Sequence, residues 1–158
     1  IYQPVAGCSE ILNNEIVIRS KLNNYAMSCL RSKKKGATCN ECWKCFRKNI
    51  FNNLNWNMSP EISKFLSKRP LKQGIATLYA LQLIQEKENQ LPTEVNDLSN
   101  LIDEDLSFLN QYWKPSIELL PRKYRASTEH RLNKFTSPMT FDLYSLDKKF
   151  REILRGEV

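Results

Sequence analysis

Four cysteines, Cys29, Cys39, Cys42 and Cys45, are spaced C-x9-C-x2-C-x2-C, and nothing else in the chain constrains its fold as strongly. Thiolates three residues apart fold back on one ion easily. A fourth sulfur ten residues upstream closes a tetrahedron once the intervening loop turns round. Four soft sulfur ligands favour zinc, at about 2.3 Å per bond, and leave no coordination position open to a substrate. The array therefore reads as a structural clamp, with Cys29, Cys39, Cys42 and Cys45 as metal ligands and no catalytic role for the ion.

Two other uses of these sulfurs compete with zinc. A disulfide framework belongs to an oxidising compartment, and no apolar signal segment precedes the array; five cysteines also leave one over. An iron–sulfur cluster stays open, because C-x2-C-x2-C also begins the bacterial ferredoxin run. That run continues with a fourth cysteine and a proline, where this chain has Asn49 and Ile50. Cys8 stands apart and reads as a small buried hydrophobe. Metal binding is folding free energy, on the order of 10 kcal/mol for a structural zinc site. The segment around the array has little else to fold on, since Lys33, Lys34, Lys35 and Gly36 form an exposed turn.

The formal charge of +7 is unevenly placed. Residues 1–48 carry nine basic side chains against three acidic ones, while residues 49–158 are close to balanced, with fifteen against fourteen. Zinc held by four thiolates carries a net charge of about −2, which offsets part of this excess. The remainder is available to a phosphate, a nucleotide or an RNA. No stretch approaches the roughly 20 apolar residues of a membrane span. With reduced cysteines, the cytoplasm is the expected location. Ile1-Tyr2-Gln3 before Pro4 reads as the end of a strand entering a Val5-Ala6-Gly7 turn, which suggests a fragment of a longer protein.

The fold class expected is mainly α: a zinc-stapled loop and helices over residues 1–57, then a helical extension over 58–158. Ser9 caps a first helix carrying Ile11, Leu12, Ile16, Ile18, Leu22 and Tyr25, ending near residue 23. From Asn40 the pattern turns helical again, with Trp43, Phe46, Ile50 and Leu54 forming a packing stripe. Asn52, Asn53, Asn55 and Asn57 mark a polar break and the candidate boundary. Ser59-Pro60-Glu61 signals a helix start that Pro70 ends. Leu71 to Asn89 is expected as one helix with Gly74 a weak point. Further starts are read at Pro92-Thr93-Glu94 and at Asp103-Glu104-Asp105. Pro115, Pro121 and Ser137-Pro138 divide the remainder into shorter pieces, and Ser145 caps a last helix bearing Leu146, Phe150, Ile153 and Leu154.

A self-sufficient catalytic site is not visible in the residues. The lone histidine, His130, sits between Glu129 and Arg131 on a helix surface. The four glycines, at positions 7, 36, 74 and 156, form no phosphate-binding loop. The acidic run Asp103–Asp105 is explained as a helix-start cluster. Arg122, Lys123, Tyr124, Arg125 and Arg131 form a basic helix face.

One resemblance gives these features a context. Ser28-Cys29, then Cys39-Asn-Glu-Cys42-Trp-Lys-Cys45, then Arg47-Lys48, resemble the C-terminal part of 7-cyano-7-deazaguanine synthase and related PP-loop ATP pyrophosphatases. In that family a serine–cysteine pair precedes a glycine-containing loop and a C-x2-C-x2-C run, and the four cysteines bind zinc, which implies Cys29, Cys39, Cys42 and Cys45 as the ligands here. Lys48 stands where the family has an arginine, and Cys8-Ser9-Glu10 departs from its lysine-bearing version. The extension past residue 57 is similar to divergent synthase-like proteins, including those of anti-phage defence clusters. The resemblance implies the C-terminal part of a larger α/β PP-loop ATPase of ligase type that activates a carboxylate by adenylation. Its ATP site would lie on an N-terminal part. Lys33–Lys35 or Arg47 would face an anionic group, and the helical tail would dock on the ATPase sheet, a second copy or a partner protein. A zinc-dependent nucleic-acid-binding module and an iron–sulfur protein are the competing functions.

Overall fold

The computed structural model describes residues 3–23, 25–26, 29, 31–33 and 37–140. Within them the chain is mainly helical, with no strand and only isolated bridges, Cys8 to Tyr112 and Tyr112 to Pro138. The expected last helix, with Ser145, Leu146, Phe150, Ile153 and Leu154, lies outside the described residues, as do Ile1, Tyr2, Ser28, Lys34, Lys35 and Gly36. The described chain divides into two compact units, residues 3–22 with 105–140, and residues 23–104.

The first unit starts with α1, Glu10–Arg19, capped by Ser9, whose hydroxyl accepts the Leu12 amide at 2.9 Å. Lys21 takes a left-handed φ of 58° and stops the helix early, so Leu22 and Tyr25 stand exposed instead of extending its apolar side. Later in this unit come 3-10 turns at Ser107–Asn110 and Lys114–Leu119. Asp105, just ahead of the first of them, accepts the Ser107 amide at 2.9 Å. The start expected at Asp103–Asp105 is therefore real but yields one short turn. The core gathers Leu12, Tyr112, Ile117 and Leu132, with Cys8 and Ile16 against it. Cys8, expected to be buried, is half-buried at the margin of this core, and that partial burial pushes its thiol up from its ordinary value. Tyr112 is fully buried, and its hydroxyl donates to Asn133 at 2.9 Å. Gly7 is required here: its carbonyl accepts the Trp113 amide at 2.8 Å, and a Cβ would come within 2.7 Å of the Trp113 carbonyl.

The second unit is built on α2, Trp43–Phe51, α3, Pro60–Leu66, and α4, Gly74–Glu88. A 3-10 stretch at Thr93–Leu98 runs into the one-turn helix α5, Ser99–Ile102. Ser59 caps α3 through the Ile62 amide at 3.1 Å, with Pro60 in its first turn. Gln73, at φ 50°, sets the start of α4, so Gly74 is its first residue and not an internal weak point; Leu71 is buried ahead of it. Ile62, Leu66, Leu78, Ala80, Leu81, Ile84 and Val95 form the centre of the unit. Each fully buried Leu or Ile contributes about 1.5–3 kcal/mol. Gln82 donates from α4 to the Ile102 and Glu104 carbonyls, both at 2.6 Å. Residue 57 falls within this unit, with α2 on one side of it packing on α3 and α4 on the other. α6, Arg122–Leu132, completes the first unit and carries the basic stretch read from the sequence.

Candidate metal centre

Asn40 turns the chain between the first two cysteines of the tight run. It holds a left-handed φ of 57°, a conformation that asparagine tolerates better than most residues. Its side chain is anchored from two sides, accepting from Thr38 at 2.6 Å and from the Asn49 amide group at 3.4 Å. Asn49 also reaches the Asn55 carbonyl at 3.4 Å, so α2 itself holds the turn. Cys42 is the N-cap of α2, at φ −91° and ψ 154°, and Cys45 lies in the first helical turn. Thiolate charge at a helix N-terminus is favoured by the unpaired backbone N–H groups there.

These turns bring the sulfurs of Cys29, Cys39, Cys42 and Cys45 within 4.8 Å of one another. Cys39 and Cys45 stand 3.8 Å apart, far beyond a disulfide bond of about 2.05 Å. Four sulfurs at about 2.3 Å from one ion occupy a regular tetrahedron with edges of about 3.8 Å. The cluster is thus positioned to hold a single metal ion. A multi-iron cluster would need wider spacing, because its four cysteines are shared among two or four separate irons. Cys42 and Cys45 are buried and Cys29 and Cys39 half-buried.

Electrostatics point the same way. Burial acts to raise the Cys29 pKa, but amides of Cys39 and Arg31 and the thiols of Cys39 and Cys45 outweigh it and hold Cys29 at about 6. Burial, with the neighbouring sulfurs, pushes Cys45 up to about 12. The two thiols are thus pushed in opposite directions. A divalent cation among them removes that conflict and makes all four thiolates stable together. The fit extends to the backbone: among the described residues from 23 to 41 none is buried, so this loop has no core of its own to order it.

The basic residues around the cysteines are largely used within the unit. Arg47, expected to face an anionic group, is instead 1% exposed. Its guanidinium lies 4.4 Å from the Trp43 ring and donates to Gln73, bridging α2 to the start of α4. Trp43 in turn stacks on Phe65, with ring centroids 5.7 Å apart, and Phe46 meets Trp56 edge-on at 5.1 Å. The aromatic stripe is packing. Lys48 donates to the Ala26 carbonyl at 3.2 Å, and Arg31 pairs with Glu61. Lys33 remains as an exposed cation near the array. Sequence reasoning missed Asn40 as the turn-maker and Arg47 as a buried bridge. The asparagine directly after Cys39 was the available signal for the first, while nothing local announces the second. His130 is exposed on α6, away from any histidine or cysteine in sequence.

No helix among the described residues is long and apolar enough to cross a membrane. No curated protein and no solved structure matches the chain. One protein-family profile does, described as a family of unknown function, DUF6395, and its match spans residues 1–146. A match over that much of the sequence places the chain in a family: it belongs to DUF6395.

Proposed function

We propose that this protein is a structural zinc protein, the zinc-stapled C-terminal portion of a synthase-like PP-loop ATPase. The convergence of four cysteine sulfurs within 4.8 Å carries the zinc half of this reading. Bound there, zinc supplies charge neutralisation and cross-linking, with no open position for substrate. Cys29 ties the loop, Cys39 and Cys42 form the turn around Asn40, and Cys45 ties the whole to α2. Reduced thiolate ligands suit a cytoplasmic protein.

The ATPase half rests on the resemblance of Ser28-Cys29, Cys39 to Cys45 and Arg47-Lys48 to the 7-cyano-7-deazaguanine synthase group. In this reading ATP binds an N-terminal part, which adenylates a carboxylate and releases pyrophosphate. This chain holds the end of that domain in shape and offers its helices to the ATPase sheet, a twin subunit or a partner. Arg47, enclosed between Trp43 and Gln73, serves that shape and is no ligand to substrate.

Two measurements test the halves separately. Elemental analysis of protein purified without added metal should give one zinc per chain and a colourless solution. Iron with visible absorbance would replace zinc by a cluster. Pyrophosphate release by the full gene product should require ATP and a serine- and glycine-rich loop ahead of Pro4. A gene lacking that loop removes the ATPase reading and leaves the zinc centre standing.

A further inference from the structure

The first unit contains a groove that the zinc centre does not use. It encloses about 710 Å³, within the range of roughly 300–1,000 Å³ common for small-molecule sites. Ile16 of α1 and Leu132 of α6 line it, with Phe135 and Leu120. Its rim includes Val5 and Tyr124, 43% and 46% exposed, an apolar surface that water solvates poorly. The polar lining residues are few: Ser20, Ser127, Thr128 and Arg131, with the hydroxyl-bearing Tyr124.

Among the described residues, Arg131 is the one charged residue of the lining and no acid lines the groove. The nearby acids are already engaged, Glu15 with Arg19 at 3.9 Å and Glu129 with Lys114 at 3.5 Å. Arg19 itself is committed to the Phe135 and Lys134 carbonyls, at 2.8 and 3.1 Å, and to the Phe135 ring. Among the described residues no acid is paired with Arg131. An arginine among mostly apolar lining residues matches a ligand with an oxyanion at one end and hydrocarbon behind it.

We propose that this groove binds a small organic anion, with its apolar body between α1 and α6 and its carboxylate or phosphate on Arg131. The charge decides against a neutral lipid-like ligand, and the apolar lining decides against a free inorganic anion. This site is independent of the zinc reading.

Calorimetric titration of the full chain with decanoate, decyl phosphate, decanol and inorganic phosphate tests the proposal. Decanoate or decyl phosphate should bind saturably at one per chain, with decanol at least about tenfold weaker and inorganic phosphate not measurable. The tighter of the two acids identifies the headgroup. Arg131→Gln, at an exposed position, should weaken the anion about tenfold and leave decanol unchanged. Thr128→Trp, which fills the groove, should abolish both while circular dichroism stays that of the wild type. Equal binding of decanol and decanoate, or an Arg131→Gln variant with unchanged affinity, would overturn it. A dimer that dissociates on adding decanoate would assign the groove to a second copy and equally overturn it.

Discussion

At the residue scale, Asn40 does more for the metal centre than its small size suggests. A left-handed φ at a residue other than glycine costs about 1–3 kcal/mol unless the side chain suits it. Asparagine does, and Thr38 and Asn49 then lock it in place. Asn40→Val should therefore lower stability by about 1–3 kcal/mol and release zinc to a competing chelator faster, followed by a colorimetric zinc indicator. Asn40→Gly should keep the backbone turn and lose only the anchoring. If both variants hold zinc like the wild type, the turn does not position the ligands. The grouping of Cys29, Cys39, Cys42 and Cys45 was legible in the sequence because their spacing is local. Arg47 was not, because its partners Trp43 and Gln73 come together only after α2 and α4 pack.

At the element scale, capping signals proved more informative than apolar periodicity. Ser9 and Ser59 cap the helices they precede, as their sequence context implies. Ser59→Ala should cost about 1 kcal/mol in urea denaturation, with most of the loss recovered by Ser59→Asp. Periodicity overran α1, since Leu22 and Tyr25 fit the pattern while Lys21 had already ended the helix. It also merged Leu71 into α4, because a buried leucine looks the same inside and outside a helix. The link from α3 to the Thr93–Leu98 stretch carries a pH signature. Asp97 is held below the usual carboxylate range, first by its hydrogen bond from Arg69. Glu94 is lowered in the same sense, mainly by the Ser63 hydroxyl at 2.6 Å. Depressed carboxylates stabilise the fold above their unfolded values, about 3.9 for Asp and 4.3 for Glu, and lose that effect as pH falls through the folded ones. Asp97→Asn should flatten the acid limb of the stability curve below about pH 4. The change should stay under about 1 kcal/mol, because the Asp97 side chain is 59% exposed. An acid limb identical to the wild type would deny the pair any role.

At the scale of the whole molecule, stability should be uneven. Under the zinc proposal, the described residues between 23 and 41, none of them buried, depend on the metal, whereas α4 leans on Leu78, Leu81 and Ile84. On chelation, amide hydrogen exchange should accelerate first in residues 29–45 and last in α4. Uniform loss of protection would mean that the metal supports the entire second unit. The two units also show what a linear reading misses. The polar run at Asn52–Asn57 looks like a boundary, yet Asn49 bonds back to Asn55 and Trp56 packs on Phe46 within one unit. The first unit joins segments about a hundred residues apart, through Gly7 to Trp113 and Ser9 to Leu109. No local pattern encodes such pairings; they are settled by which buried surfaces fit.

The sequence alone determined the helical class, the Ser9 and Ser59 caps and which four cysteines group together, because each depends on residues within a turn or a short loop of one another. Tertiary structure alone decided that the sulfurs converge within 4.8 Å, that Arg47 is buried and that a groove opens beside Arg131. Those outcomes depend on packing between distant segments, where burial and shape act over the whole unit.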